Sequence, residues 1–160
     1  MNYTIRRIAA ADNKRIEKII RDCLIEYGGN HEGTAWMDPN LGRFSEVYVG
    51  CSAAYWVAED PTGTVVGGVG IGPLPGVPET CELQKMYCIP AVRGTGAAQQ
   101  LMDTALAYAA EQYRYCYLET LESMDRAQAF YEKYGFRRVT DALGATGHDA
   151  CEVRLRKELN

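Results

Sequence analysis

Apolar and polar residues alternate with period two from Tyr3 to Ile8, which predicts a first strand. The period then lengthens. Ile16, Ile19, Ile20, Cys23, Leu24 and Tyr27 recur at helical spacing and predict an amphipathic helix over 13–27. Asp12 stands at its N-cap position, and Gly28-Gly29 stop it. Residues 30–40 are polar and turn-rich. Asp38-Pro39 has the form of an N-cap followed by proline at the first helical position, so a short helix is expected over 40–48. Ala53–Glu59 reads as a strand, Asp60–Gly63 as a turn, and Thr64–Ile71 as the antiparallel partner. Gly67, Gly68, Gly70 and Gly72 match no phosphate fingerprint and predict close packing, a bulge or a bend.

The loop GPLPGVP (72–78) leads into a strand over 80–89, stopped by Pro90. There follow Arg93-Gly94-Thr95-Gly96-Ala97-Ala98 and a helical stripe at Ala97, Leu101, Met102, Ala105, Leu106 and Ala109. This is strand, glycine turn, helix. The unpaired N–H groups of such a helix start can receive a phosphate, and the glycines admit a bulky pyrophosphate closely. The dinucleotide pattern fails because Gln99 occupies the place of the third glycine. The P-loop pattern fails because no Gly-Lys-Ser/Thr follows. Tyr115–Leu121 reads as a buried strand. Ser123 or Asp125 starts a helix over 124–134, which Gly135 ends. Residues 136–141 and 151–156 read as two last strands joined by the loop 142–150.

Composition narrows the class. A chain of 160 residues, 47% hydrophobic and 24% charged, has the proportions of one globular domain, here 1–160. The net charge of −4 argues against nucleic acid as the main partner. No apolar run approaches a membrane span, and no signal-peptide h-region is read at the N-terminus. The six cysteines, Cys23, Cys51, Cys81, Cys88, Cys116 and Cys151, form no C-x-x-C pair and fall in apolar patterns. They read as reduced, mostly buried residues of a cytoplasmic protein without zinc.

Arg93, Gly96 and Ala98 fit the acyl-CoA signature Gln/Arg-x-x-Gly-x-Gly/Ala. Ahead of it runs Leu83-Gln84-Lys85-Met86-Tyr87-Cys88-Ile89-Pro90, and after it Phe130-Tyr131-Glu132-Lys133-Tyr134-Gly135-Phe136. With these segments the chain resembles the GNAT superfamily of acetyl-CoA-dependent N-acetyltransferases, in the form of a small bacterial-type single-domain member. The element order β-α-α-β-β-β-α-β-α-β-β follows that family over nearly the whole chain. The resemblance implies an α/β (α+β) fold. Its mixed sheet has about seven strands, helices on both faces and a splayed central strand pair.

An amine must be neutral to attack a thioester, yet a lysine-like amine has a pKa of about 10.4. A base is therefore needed, with donors for the oxyanion and an acid for the leaving thiolate. The thiol pKa of about 8.5 makes that last contribution modest. The resemblance assigns these parts. Acetyl-CoA is the implied co-substrate, with no metal. Its pantetheine arm would pair with the backbone of Met86, Tyr87 and Cys88, where an N–H would be the oxyanion donor. The turn Arg93, Gly94, Thr95, Gly96, Ala97 and Ala98 would hold the pyrophosphate. Tyr131 matches the family's general-acid tyrosine, with Tyr134 as runner-up. Glu119 matches one position of a family base and Glu82 another, with Glu119 favoured here. Where many members carry a cofactor-contacting or helix-capping asparagine, this chain has Met124, and Ser123 is the candidate cap.

His31, Glu32, Trp36, Phe44 and Tyr48 are candidates for the acceptor wall. His148 sits in the last loop, as an acceptor contact or as a solvent-exposed side chain. The implied activity is acetyl transfer to a primary amine of a small molecule or peptide, by direct attack in a ternary complex. The alternative is a non-catalytic acyl-CoA-sensing or partner-binding module on the same fold. Transfer of a longer acyl chain is a further option; homodimerisation, common in the superfamily, is an option by analogy only, and the sequence leaves the oligomeric state open.

Overall fold

The computed structural model describes residues 1–144 and 152–159. The elements are β1 (Thr4–Arg7), α1 (Asn13–Glu26), α2 (Phe44–Val47), β2 (Ala54–Glu59), β3 (Val65–Pro73), β4 (Thr80–Cys88), α3 (Ala97–Gln112), β5 (Tyr115–Thr120), α4 (Asp125–Lys133), β6 (Arg137–Arg138) and β7 (Val153–Glu158). All seven strands lie in one sheet of order β1-β2-β3-β4-β5-β7-β6. Every neighbouring pair is antiparallel except β4 and β5, which α3 joins as a parallel crossover.

Each face of the sheet is covered. On one, Ile16, Ile19, Ile20, Cys23 and Leu24 of α1 pack with Phe44, Tyr55 and Val57. Burying each of those isoleucine and leucine side chains contributes about 1.5–3 kcal/mol. On the other, Leu101, Met102, Ala105 and Ala109 of α3, with Tyr131 of α4, pack on Cys81, Leu83, Cys116, Leu118 and Leu155. The turn after α1 closes as predicted: Gly28 takes φ +72°, and the Gly29 N–H donates to the Leu24 carbonyl at 2.7 Å.

Four local expectations need correction. Asp12 occupies the N-cap of α1 but makes no side-chain capping bond there. Its carboxylate accepts from the Ala9 N–H at 2.8 Å and is held by Arg6 at 2.7 and 3.0 Å. The helix expected over 40–48 shrinks to the single turn of α2. Asp38 closes an Asx turn onto the Asn40 N–H (2.8 Å), and Gly42 at φ +87° breaks the helical path. Ser123 does not cap α4. Its hydroxyl donates to the Tyr27 carbonyl at 2.8 Å, and Met124 occupies the N-cap without a side-chain bond. The last hairpin pairs over only two residues of β6, and β7 begins at Val153. His148 and Cys151 lie outside the described residues.

Candidate active site

The site is made by two strands parting. Parallel pairing between β4 and β5 covers only Thr80–Glu82 against Tyr115–Tyr117. Beyond Glu82, β4 stays with β3 and turns away from β5. A bulge does this. Gly70 pairs with Gln84 and Gly68 with Tyr87, so one β3 residue faces two on β4. Lys85, inside the bulge, has φ +50°, a backbone region that non-glycine residues enter at a cost. Its carbonyl accepts from the buried Tyr55 hydroxyl at 2.8 Å, and its ammonium pairs with Asp38 at 3.2 Å. Gly68 and Gly70 make room for that pin. A Cβ on either would stand 2.5–2.9 Å from the Tyr55 ring.

The parted strands open a cavity of about 430 Å³. Glu82, Gln84 and Met86–Cys88 of β4 line it, as do Glu119 and Thr120 of β5 and Phe130 and Tyr131 of α4. Leu24 and Tyr27 border it from α1, with Thr34 and Ala35 from the loop that follows.

Glu82 is only 4% exposed, and burial raises its carboxyl pKa to about 7. The Gln84 amide, donating to its Oε1 at 2.7 Å, and the Lys85 charge act downward, and the Glu119 charge acts upward. Glu119 accepts from the Tyr117 hydroxyl at 2.6 Å. Tyr131 packs edge-on against Phe130 and Phe136, and burial pushes its phenol above the usual tyrosine range. Its hydroxyl forms no hydrogen bond among the described residues.

Cys88 ends β4 with its carbonyl turned from β3, whose bond passes to the Ile89 N–H. That carbonyl takes Arg93 Nη2 at 3.3 Å and the Cys23 thiol at 3.4 Å. Arg93 is also forked onto Glu26 at 2.6 and 2.8 Å and lies over the Tyr27 ring. Gly94 and Gly96, both at positive φ, then deliver the chain into α3, whose N-cap is Gly96 without a side-chain bond. The first N–H groups of α3 therefore meet no side-chain cap.

An acetyltransferase (GNAT) domain family matches residues 51–138, which include the β4, β5 and α4 residues that line this cavity. A relative in Escherichia coli K12, the uncharacterized N-acetyltransferase YjgM, is 46% identical over 158 residues, covering 97% of this chain and 94% of that protein. This chain belongs to the GNAT acetyltransferase family. The fold agrees. A GNAT-family acetyltransferase from Staphylococcus aureus Mu50 superposes with a TM-score of 0.85 at 20% identity, over 99% of this chain and 100% of that one. The yncA protein of Salmonella typhimurium, solved with its cofactor acetyl-CoA, gives 0.75 at 19% identity, over 100% and 95%.

Seen as a GNAT site, most of the expected residues converge. Tyr131, Glu119, Glu82, Met86, Tyr87, Cys88, Arg93, Gly94 and Ala98 all line the one cavity. Thr95, Gly96 and Ala97 are not on its wall. The Thr95 hydroxyl is turned to the Val92 carbonyl and to the Tyr3 hydroxyl, and Ala97, the first residue of α3, is buried in the core. Tyr134 is tied to α3 through Asp103 at 3.1 Å, away from the cavity.

The expected acceptor wall is largely elsewhere. Phe44 is core, and Trp36 lies under the Arg21 guanidinium. His31 and Glu32 are exposed, His31 beside a separate shallow depression with Glu122 and Ser123. Tyr48 reaches the site through Gln84 rather than from the wall, its hydroxyl donating to Gln84 Oε1 at 2.6 Å. Sequence reasoning passed over Gln84, although its two-residue spacing from Glu82 puts both side chains on one face. Glu26 and Tyr27 carry no local signal, because they meet Arg93 only across the fold.

Proposed function

We propose that this chain transfers the acetyl group of acetyl-CoA to a primary amine, of a small molecule or peptide, by direct attack in a ternary complex. The observation that carries this is the facing of Glu82 and Tyr131 into the one cavity left where β4 leaves β5. The bound acetyl-CoA of the yncA neighbour supports the choice of co-substrate. The pantetheine would run along Met86–Cys88, and its pyrophosphate would meet the turn Arg93–Ala98 and the first N–H groups of α3.

The base in this reading is Glu82 rather than Glu119. With a pKa of about 7, the Glu82 carboxyl is poised to gain and lose a proton at neutral pH. The amine loses its proton to Glu82, and its lone pair attacks the thioester carbon. The carbonyl electrons move to oxygen, where a β4 backbone N–H holds them. Their return breaks the C–S bond, Tyr131 protonates the departing thiolate, and the second proton, shed by the newly bonded nitrogen, returns through solvent to the Tyr131 oxygen. Two cavity thiols could suggest an acetyl-cysteine intermediate instead. Burial disfavours that route, pushing the Cys88 thiol up to about 12 and raising Cys23 as well.

Initial rates and two variants test this. Varying acetyl-CoA against an amine should give intersecting lines. Glu82→Gln should lower kcat/KM by about 100-fold or more near neutral pH, and Tyr131→Phe kcat by about tenfold. Parallel lines, or unchanged turnover in Glu82→Gln, contradict the reading.

A further inference from the structure

Glu82 belongs to a partly buried chain of polar groups that reaches off the sheet. Gln84 follows it on the same face of β4. The Gln84 amide donates from Nε2 to Glu82 Oε1 at 2.7 Å and accepts at Oε1 from the Tyr48 hydroxyl at 2.6 Å. The two bonds are mutually dependent. A tyrosine hydroxyl that donates requires the amide oxygen on its side, and that places the amide NH2 on the carboxylate. Tyr48, at the end of α2, is itself fixed. Its ring meets Phe44 and Tyr55, each at 5.3 Å between centroids. Gly70 admits the ring, since a Cβ there would stand 2.9 Å from it. Gly72 flanks the Gln84 amide in the same way, at 3.2–3.3 Å.

We propose that Gln84 and Tyr48 are positioning residues for Glu82, with Tyr48 setting the direction of the Gln84 amide and Gln84 holding the carboxylate in its ionised form. This rests on Glu82 being the base. It gives α2 and the preceding loop a part in the chemistry, although they contribute no group to the reacting atoms.

The other groups facing Glu82 define what a variant leaves in place. On β4 there is Lys85, paired with Asp38. From β5 come Tyr117, in register with Glu82, and Glu119, with the Cys116 thiol buried alongside. From β7, Arg156 continues the row of Tyr117 and Arg154 the row of Glu119. None of these is altered by a change at Gln84 or Tyr48. Removing the amide donor takes away a contact that favours the carboxylate, so the proton is held to higher pH.

The test is a titration that needs no acceptor: carbon NMR of the full chain labelled at glutamate Cδ, with Glu82 assigned by its loss in Glu82→Gln. Wild type should titrate near the value of about 7 given by its burial. Gln84→Leu should move that midpoint up by about one pH unit. Tyr48→Phe, which keeps the ring packing, should move it the same way by less, and the double variant should go no further than Gln84→Leu alone. In turnover, with whichever amine an acetyl-CoA screen identifies, Gln84→Leu should lose about tenfold on the acidic limb and nothing at alkaline pH. A merely structural role would depress the rate at every pH. An unmoved Glu82 midpoint in Gln84→Leu, or shifts that add independently, would overturn the proposal. An acidic limb retained in Glu82→Gln would instead overturn Glu82 as base and leave the positional link intact.

Discussion

Arg93, the first residue of the glycine turn, forks the carboxylate of Glu26 at the end of α1, at 2.6 and 2.8 Å. The pair joins the proposed cofactor turn to the helix that walls the other side of the cavity. An arriving pyrophosphate meets an arginine already committed to the Glu26 carboxylate. Glu26→Gln should therefore tighten acetyl-CoA several-fold, and Arg93→Ala should weaken it. Calorimetric titration checks this, with acetyl-pantetheine, which lacks the pyrophosphate, as the control that should not respond. The fold should lose little in Glu26→Gln, because ion pairs this open are worth about 0–1 kcal/mol.

Glu82 should cost the protein stability. Its folded pKa, near 7, lies above the ordinary carboxylate value of 4.5, so the folded state holds the proton that the unfolded state releases. Its contribution is intact below the unfolded value and declines as pH rises through the folded one. Glu82→Gln should accordingly be more stable than wild type at pH 8.5, by up to about 3 kcal/mol, and nearly equal to it at pH 4. Thermal melts at the two pH values measure this. A variant less stable than wild type at pH 8.5 would contradict the assignment.

The bulge at Lys85 depends on one hydroxyl. Tyr55→Phe leaves the Lys85 carbonyl without its 2.8 Å donor and should cost about 1–3 kcal/mol. It should also lower turnover beyond what the stability loss explains, since the bulge is what directs β4 away from β5. Denaturant melts and rates on the folded enzyme separate the two effects.

Gly68 should not tolerate alanine. The added Cβ would lie 2.5 Å from the Tyr55 ring, which cannot retreat without releasing Lys85. Gly68→Ala should destabilise by about 1–3 kcal/mol and share the kinetic defect of Tyr55→Phe. Gly50→Ala is the contrast: no atom lies within 4 Å of its Cβ, but the backbone there is at φ +87°. That variant should carry only the local backbone cost and leave turnover unchanged.

These relationships divide into those the sequence carries and those it does not. Periodicity found the α1 stripe because burial on one face repeats every turn, and the glycine turn because its residues are contiguous. Even the element order survives in the folded chain. The start of α2 was placed too early because Pro39 and Asp38 signal a helix start equally well when Asp38 closes an Asx turn. Lys85 shows no trace of its left-handed backbone, for such positions usually advertise themselves as glycine or asparagine. Arg93 and Glu26, or Tyr48 and Gln84, lie far apart along the chain and meet only once the sheet has formed. Local patterns thus located the walls of the cavity. The contacts that orient its charged groups are tertiary and became visible only in the fold.

The central claim is acetyl transfer to an amine within the β4–β5 gap. The measurement that meets it most directly is mass spectrometry of wild type and Glu82→Gln, incubated with acetyl-CoA and a panel of polyamines, amino acids, aminoglycosides and short peptides. The account predicts an amine product 42 Da heavier than its acceptor, the mass of one added acetyl less a proton (roughly, for any small amine), formed by wild type and almost absent with Glu82→Gln. Saturable acetyl-CoA binding with no product from any amine, or equal product from both proteins, would contradict it.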